Sequence, residues 1–129
     1  MDSIKALLED LVHRTPEVHG VILVTTDGFP VSYAFRGSVD QMEIDKQAAV
    51  IASLASLARR STESMDMGSP EEILITAEMG RMFVYRLEDI AALGVVTAKD
   101  VTAGFVLLKI RQMLPVLMEE FKNTLNPGG

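Results

Sequence analysis

The stretch that most constrains this chain is Gly20-Val21-Ile22-Leu23-Val24-Thr25-Thr26, which runs into Asp27-Gly28 and is followed by Val31-Ser32-Tyr33-Ala34-Phe35. Two apolar, β-prone runs on either side of Asp-Gly predict a hairpin, with both central turn positions at positive φ, a conformation these residues adopt at low cost. A second pair repeats the arrangement, with Ile73-Leu74-Ile75-Thr76-Ala77 and Met82–Leu87 flanking Met79-Gly80, and Ala91–Thr97 reads as a fifth strand. Hairpin-linked strands pair antiparallel, and the sheet they make needs cover on its apolar side.

Helices supply that cover. Ile4, Leu7, Leu8, Leu11 and Val12 fall on one face of a first helix, with Ser3 as its expected N-cap and Thr15-Pro16 as its stop. Asp40, with Glu43 three residues on, forms a capping box for a long helix running to about Ser61. A last helix, starting near Asp100, is expected to carry Phe105, Leu108, Met113, Leu117 and Phe121 toward the core. Pro115 lies inside it, where it removes a backbone donor and bends the axis. The order α-β-β-α-β-β-β-α is an α+β architecture, an antiparallel sheet flanked by three helices. With 129 residues, 48% hydrophobic and 23% charged, and its prolines and glycines scattered, the chain reads as a single folded domain, 1–129, with one core.

The central helix is unusual in composition. Ala48, Ala49, Ala52, Ala55 and Ala58, with Ser53 and Ser56 between them, keep its surface low in relief, while Val50, Ile51, Leu54 and Leu57 spread apolar area around much of its circumference. A helix that is apolar on more than one stripe is buried on more than one side. In a domain this small, the second side is expected to face another chain.

Composition excludes several function classes. The chain has no cysteine, so a disulfide framework, a thiolate zinc site and a cysteine nucleophile are all ruled out. A formal charge of −6, with Arg59-Arg60 the only adjacent basic pair, opposes binding to nucleic-acid phosphates. The opening Met1-Asp2-Ser3-Ile4-Lys5, soon followed by Glu9 and Asp10, carries no secretion pattern, and no apolar run is long enough to insert in a membrane. The expected location is the cytoplasm.

The segments "LLEDLVHRTPEVHGVILVTTDGFPVS", "AAVIASLASLARRS", "EEILITAEMGRMFVYRLED" and "LGVVT", in that order, resemble the roadblock/dynein light-chain family over almost the whole chain. The resemblance implies a profilin-like fold with a five-stranded antiparallel sheet, and a homodimer formed through the second helix and third strand. It also implies a role for this chain: bacterial MglB-type members act on a partner small Ras-like GTPase across the paired central helices, while other relatives are scaffolds or dynein light chains. The two functional readings are therefore a dimeric GTPase regulator and a scaffold with no nucleotide step. The expected dimer and partner surface is Ile51, Leu54, Ala55 and Ala58, with Arg59 at its rim and Met65 and Met67 in the loop beyond.

Enzyme chemistry finds little support. There is no phosphate-binding Gly-x-x-x-x-Gly-Lys-[Ser/Thr] and no Gly-x-Ser-x-Gly elbow. His13 and His19 do not share a helical face, so they make a poor metal pair. Neighbouring acids in Glu9-Asp10, Glu71-Glu72 and Glu119-Glu120 point apart, as adjacent residues do in any regular element. Arg36, Arg59, Arg60, Arg81 and Arg86 are the candidates for a group inserted beside a γ-phosphate. No pattern singles one out, so activation by repositioning the GTPase's own switch loops is the favoured route. No catalytic residue, cofactor or metal is expected. Calorimetry of the purified protein with GTP or ATP should therefore give a flat titration, and tight binding of either nucleotide would reveal a site this reading lacks.

Overall fold

A computed structural model describes residues 2–125, which form α1 (Asp2–Arg14), β1 (Val18–Thr25), β2 (Pro30–Phe35), α2 (Gln41–Ser64), β3 (Glu72–Thr76), β4 (Arg81–Leu87), β5 (Ala91–Thr97) and α3 (Ala103–Leu125). All strand pairs are antiparallel and the sheet order is β2-β1-β5-β4-β3. The two hairpins thus lie on opposite sides of the sheet, joined through the β1–β5 pair. β2 and β3 are its edges.

Alternation along the strands divides the core between two faces. Val21 and Leu23 of β1, Phe83 and Tyr85 of β4, and Leu93 and Val95 of β5 pack with Ile4, Leu8 and Leu11 of α1 and Val106, Ile110, Leu117 and Phe121 of α3. Ile22, Val24, Val84 and Ala92 point the other way, against Ala48, Ile51, Ala52 and Ala55 of α2. β1 and β5 are buried on both faces, which is why both read as unbroken apolar runs.

Local chemistry sets the element ends. Asp40 caps α2 as expected, its carboxylate accepting from the Glu43 backbone N–H at 2.9 Å. α1 stops at Arg14, and Arg36 donates its guanidinium to the carbonyls of Val12, Thr15 (3.2 Å) and Val18 (3.3 Å), satisfying groups that the helix end leaves open. Ser3 lies inside α1 rather than capping it, and its hydroxyl donates to Glu120 of α3 at 2.7 Å.

Two further expectations change. The first turn is not the two-residue type with positive φ at both centres: Gly28 has φ +94, Asp27 is not in the positive region, Gly28 N–H donates to Thr25 O at 3.0 Å, and the pairing register slips between Leu23 and Val24. This is a type I turn followed by a left-handed glycine, where the extra residue is absorbed as a bulge. In α3 the buried stripe is Val106, Ile110, Leu117 and Phe121, with Met113 half-buried, while Phe105 and Leu108 are exposed. The run Phe105-Val106-Leu107-Leu108 is apolar on all sides, so periodicity alone could not choose its inner face.

α2 approaches the sheet closely at one place. A Cβ on Gly94 of β5 would lie 2.3 Å from Cδ1 and 2.6 Å from Cγ1 of Ile51, a fully buried β-branched side chain with no room to retreat. Gly94→Ala is expected to destabilise the domain by about 1–3 kcal/mol through overpacking, read as a lower urea midpoint at unchanged slope.

Candidate functional site

α2 presents three different surfaces. Ile44, Ala48, Ile51, Ala52 and Ala55 face the sheet and are buried. On one flank, Val50, Leu54 and Leu57, three or four residues apart, form an apolar stripe; Val50 and Leu57 are exposed at 44% and 54%, and Leu54 is half-buried. The opposite flank carries Ala49, Ser56 and Arg60, which with Thr26, Asp27 and Gly28 of the first turn line a shallow polar cleft. The low relief noted in the sequence is what lets this turn come close, since an added Gly28 Cβ would stand 3.5 Å from the Ala49 backbone.

Beyond α2 the sheet is open. Among the described residues β3 pairs only with β4, so its outer backbone edge has no strand beside it. Ile73 is directly across from Val84 and Ile75 from Met82, which places both isoleucines on the α2 side of the sheet. Ile73 is half-buried there, but Ile75 is exposed, as is Leu74 on the other face. An edge strand that exposes a leucine on one face and an isoleucine on the other is an unusual surface for a protein that acts alone.

The residues expected from sequence divide across these surfaces. Leu54 and Ala58 are half-buried; Arg59, Met65 and Met67 are exposed. Ile51 and Ala55, at 1% and 6% exposure, belong to this chain's own core, because they project toward β5 and the sheet rather than outward. Val50 and Leu57 take their place on the outer stripe. Ile75, Leu74 and the fully displayed Met79 were not anticipated, since only the sheet order reveals that β3 is an edge.

The arginines are held in place by intramolecular bonds. Arg59 lies 3.7 Å from Glu63 and 3.5 Å from Asp89, Arg86 bonds Asp89 at 2.6 Å, Arg81 donates to Lys99 O and Thr76, and Arg60 donates to Ser56 at 3.0 Å. Arg36, in the bend after β2, is tied by its carbonyl bonds to the end of α1. On the far side of the sheet, Glu72 of β3 pairs with Arg111 of α3 at 2.8 Å above the buried Tyr85 ring. The Tyr85 hydroxyl is held above the usual phenol range, chiefly by desolvation and then by the Glu72 carboxylate. Among the described residues no group of three His, Asp or Glu side chains could hold a metal, and no helix is long and apolar enough to cross a membrane.

Residues 4–97 match the model of the Roadblock/LC7 domain. The chain belongs to that family. Its fold is similar to a roadblock/LC7 domain from Streptomyces avermitilis at 21% identity, covering 94% of this chain and 96% of that one, with a TM-score of 0.79. It is likewise similar to Myxococcus xanthus MglB at 16% identity, covering 94% and 96%, with a TM-score of 0.83. A Schizosaccharomyces pombe profilin matches at 8% identity over 89% and 96%, with a TM-score of 0.62, so the profilin-like architecture holds. No curated protein matches the sequence closely. The matched range contains the whole sheet and α2, so the roadblock domain includes the apolar flank and the β3 edge. Such a module is regulatory or adaptor-like.

Burial separates two substitutions only two residues apart. Ala55→Glu places a long charged side chain against the sheet and is expected to cost about 3 kcal/mol by overpacking and desolvation. Leu57→Glu, on the exposed stripe, should leave the stability of the single domain within about 0.5 kcal/mol. Urea unfolding of both variants at high dilution checks the difference.

Proposed function

We propose that this roadblock domain is a homodimeric, non-enzymatic cytoplasmic module that binds a small Ras-like GTPase and regulates its nucleotide cycle or localisation. The observation that carries this reading is the apolar stripe of α2 beside an open β3 edge. Two copies related by a two-fold axis satisfy both features together: β3 pairs with its twin to extend the sheet, and Val50, Leu54 and Leu57 of each α2 gain apolar neighbours. Main-chain bonding at the edge supplies register, and the side chains supply area removed from water.

Pairing in this way sets two α2 helices side by side on one face of a continuous sheet. Their outward surfaces, with Ser53 and Arg60 uppermost and Arg59, Met65 and Met67 at the ends, form the partner platform. The methionine thioethers suit a surface that adapts to a moving switch region. Family resemblance supports a Ras-like GTPase as the occupant, because MglB-type members act on one. A platform whose arginines are held in ion pairs and hydrogen bonds favours regulation by contact with switch loops over insertion of a charged finger.

A scaffold that links signalling or motor proteins without a nucleotide step uses the same dimer. The readings part at the GTPase. Light scattering is expected to show a homodimer or an even-numbered multiple of it, with Leu57→Glu breaking the α2–β3 pairing. Wild-type protein should co-elute with the Ras-like GTPase of the same genome and change its GTP turnover or exchange rate, while Glu9→Lys, on the other side of the sheet, leaves capture intact. Capture without any change in rate supports the scaffold, and loss of capture only in Glu9→Lys would put the platform on the wrong face.

A further inference from the structure

On the face of the sheet opposite α2, the two covering helices leave a recess that their own side chains do not fill. α1 and α3 run antiparallel there, with the Ser3 hydroxyl donating to Glu120 near one end, and between them a cavity of about 250 Å³ opens to the surface. The helix period gives this cavity two chemically different ends. Leu7 and Leu11 of α1, with Met113 and Val116 of α3, make apolar walls. One turn further along both helices, Arg14 and Thr15 lie across from Lys109 and Gln112, so that end is polar.

Two groups at the polar end lack the partners that their surroundings call for. Thr15 is fully buried and its side-chain oxygen has no hydrogen-bond partner, a cost that native interiors rarely carry. Lys109 is half-buried, with its ammonium 5.4 Å from the centre of the Phe105 ring, and among the described residues it has no carboxylate partner. Arg14 adds no free charge, because Asp10 binds it at 2.7 Å. One uncompensated cation is therefore held at the mouth of an apolar recess, in a chain whose formal charge is −6.

We propose that this recess binds a small amphipathic monocarboxylate, with its tail along Leu7, Leu11, Met113 and Val116 and its carboxylate between Lys109 and Thr15. A carboxylate accepts hydrogen bonds from both the ammonium and the threonine hydroxyl, and the bond to the cation is the stronger of the two. The charge of the mouth selects the head group: a single negative charge balances Lys109, whereas a phosphate monoester brings excess charge beside Asp10. At the other end a second recess of about 390 Å³ continues past Leu7 and Val116 toward Ser3 and Glu120. That continuation suits a linear aliphatic tail, and the Glu120 carboxylate there repels a second acid group. The site lies on the opposite side of the sheet from α2 and does not depend on the pairing or the partner proposed for that helix.

Titration of the full chain with octanoate below its micelle threshold, followed by backbone amide NMR, tests this. Acetate supplies the head group without the tail, and octan-1-ol the tail without the charge. Octanoate is expected to bind saturably and to shift amides of α1 around Leu11 to Thr15 and of α3 around Lys109 to Val116, while acetate shifts none. Lys109→Met should raise the octanoate Kd about tenfold, the scale of a lost charge-assisted bond, and leave the weaker octan-1-ol binding unchanged. That split between ligands is a readout that a merely structural role for Lys109 would not move. Met113→Trp, which fills the recess, should abolish binding of both; where that variant does not fold, the Lys109→Met split decides alone. Absence of saturable octanoate binding, shifts centred on the Val50 and Leu57 stripe of α2, or a Lys109→Met variant that binds octanoate as well as the wild type, each overturns the proposal.

Discussion

α2 must lie flush on the sheet, and that contact rests on Gly94 of β5 accepting Ile51 from above. A side chain at this position in the middle of the sheet would lift the helix and open the cluster formed by Ile22, Val24, Val84 and Ala92 below it. Interiors packed to crystal-like density do not absorb such a step without cost elsewhere. The buried alanines at 48, 52 and 55 face the sheet along the same side of the helix, and the first turn comes within van der Waals reach of Ala49 at Gly28. Small residues in this helix therefore serve the chain's own core first. They do not by themselves mark a surface for a partner.

Once α2 is fixed there, its two flanks become unequal. The flank toward the first hairpin meets a turn and ends in a polar cleft. On the flank with Val50, Leu54 and Leu57, Val50 and Leu57 are exposed and only Leu54 packs partly against the core, and the edge strand β3 exposes Leu74 and Ile75. Edge strands in proteins that remain monomeric are blunted by charge, proline or a covering helix. Here Glu72 is drawn into a pair with Arg111 instead, and the apolar positions of β3 are left displayed. Apolar side chains are left displayed by that imbalance between cover and exposure, without any dedicated motif.

The arginines around these surfaces are engaged within the chain. Five arginines drew notice as groups for phosphate chemistry, and each is engaged with a carbonyl, a hydroxyl or a carboxylate of its own chain. Exposed ion pairs such as Arg59 with Glu63 contribute little to stability, but they orient the side chains that form them. Each of these guanidinium groups is thus committed to a partner within the chain. That agrees with a regulatory or adaptor domain in the roadblock family more readily than with an enzyme.

Much of the fold was legible because it depends on local physics. The strand at Ala91–Thr97, the Met79-Gly80 turn, the Asp40 cap and the stop before Thr15-Pro16 all follow from hydrophobic pattern and turn or cap chemistry within a few residues. The family itself was readable from the succession of those segments. The inner face of α3 was not, because Phe105 to Leu108 are apolar in every direction, and neither was the bulged form of the first turn, where strand register decides which residues sit opposite. Sequence showed that α2 is apolar on more than one side; only the tertiary structure decided that Ile51 and Ala55 turn inward while Val50 and Leu57 turn out. The physical reason is that composition counts apolar residues around a helix, whereas exposure depends on where a sheet assembled from distant segments happens to end, and that edge is β3.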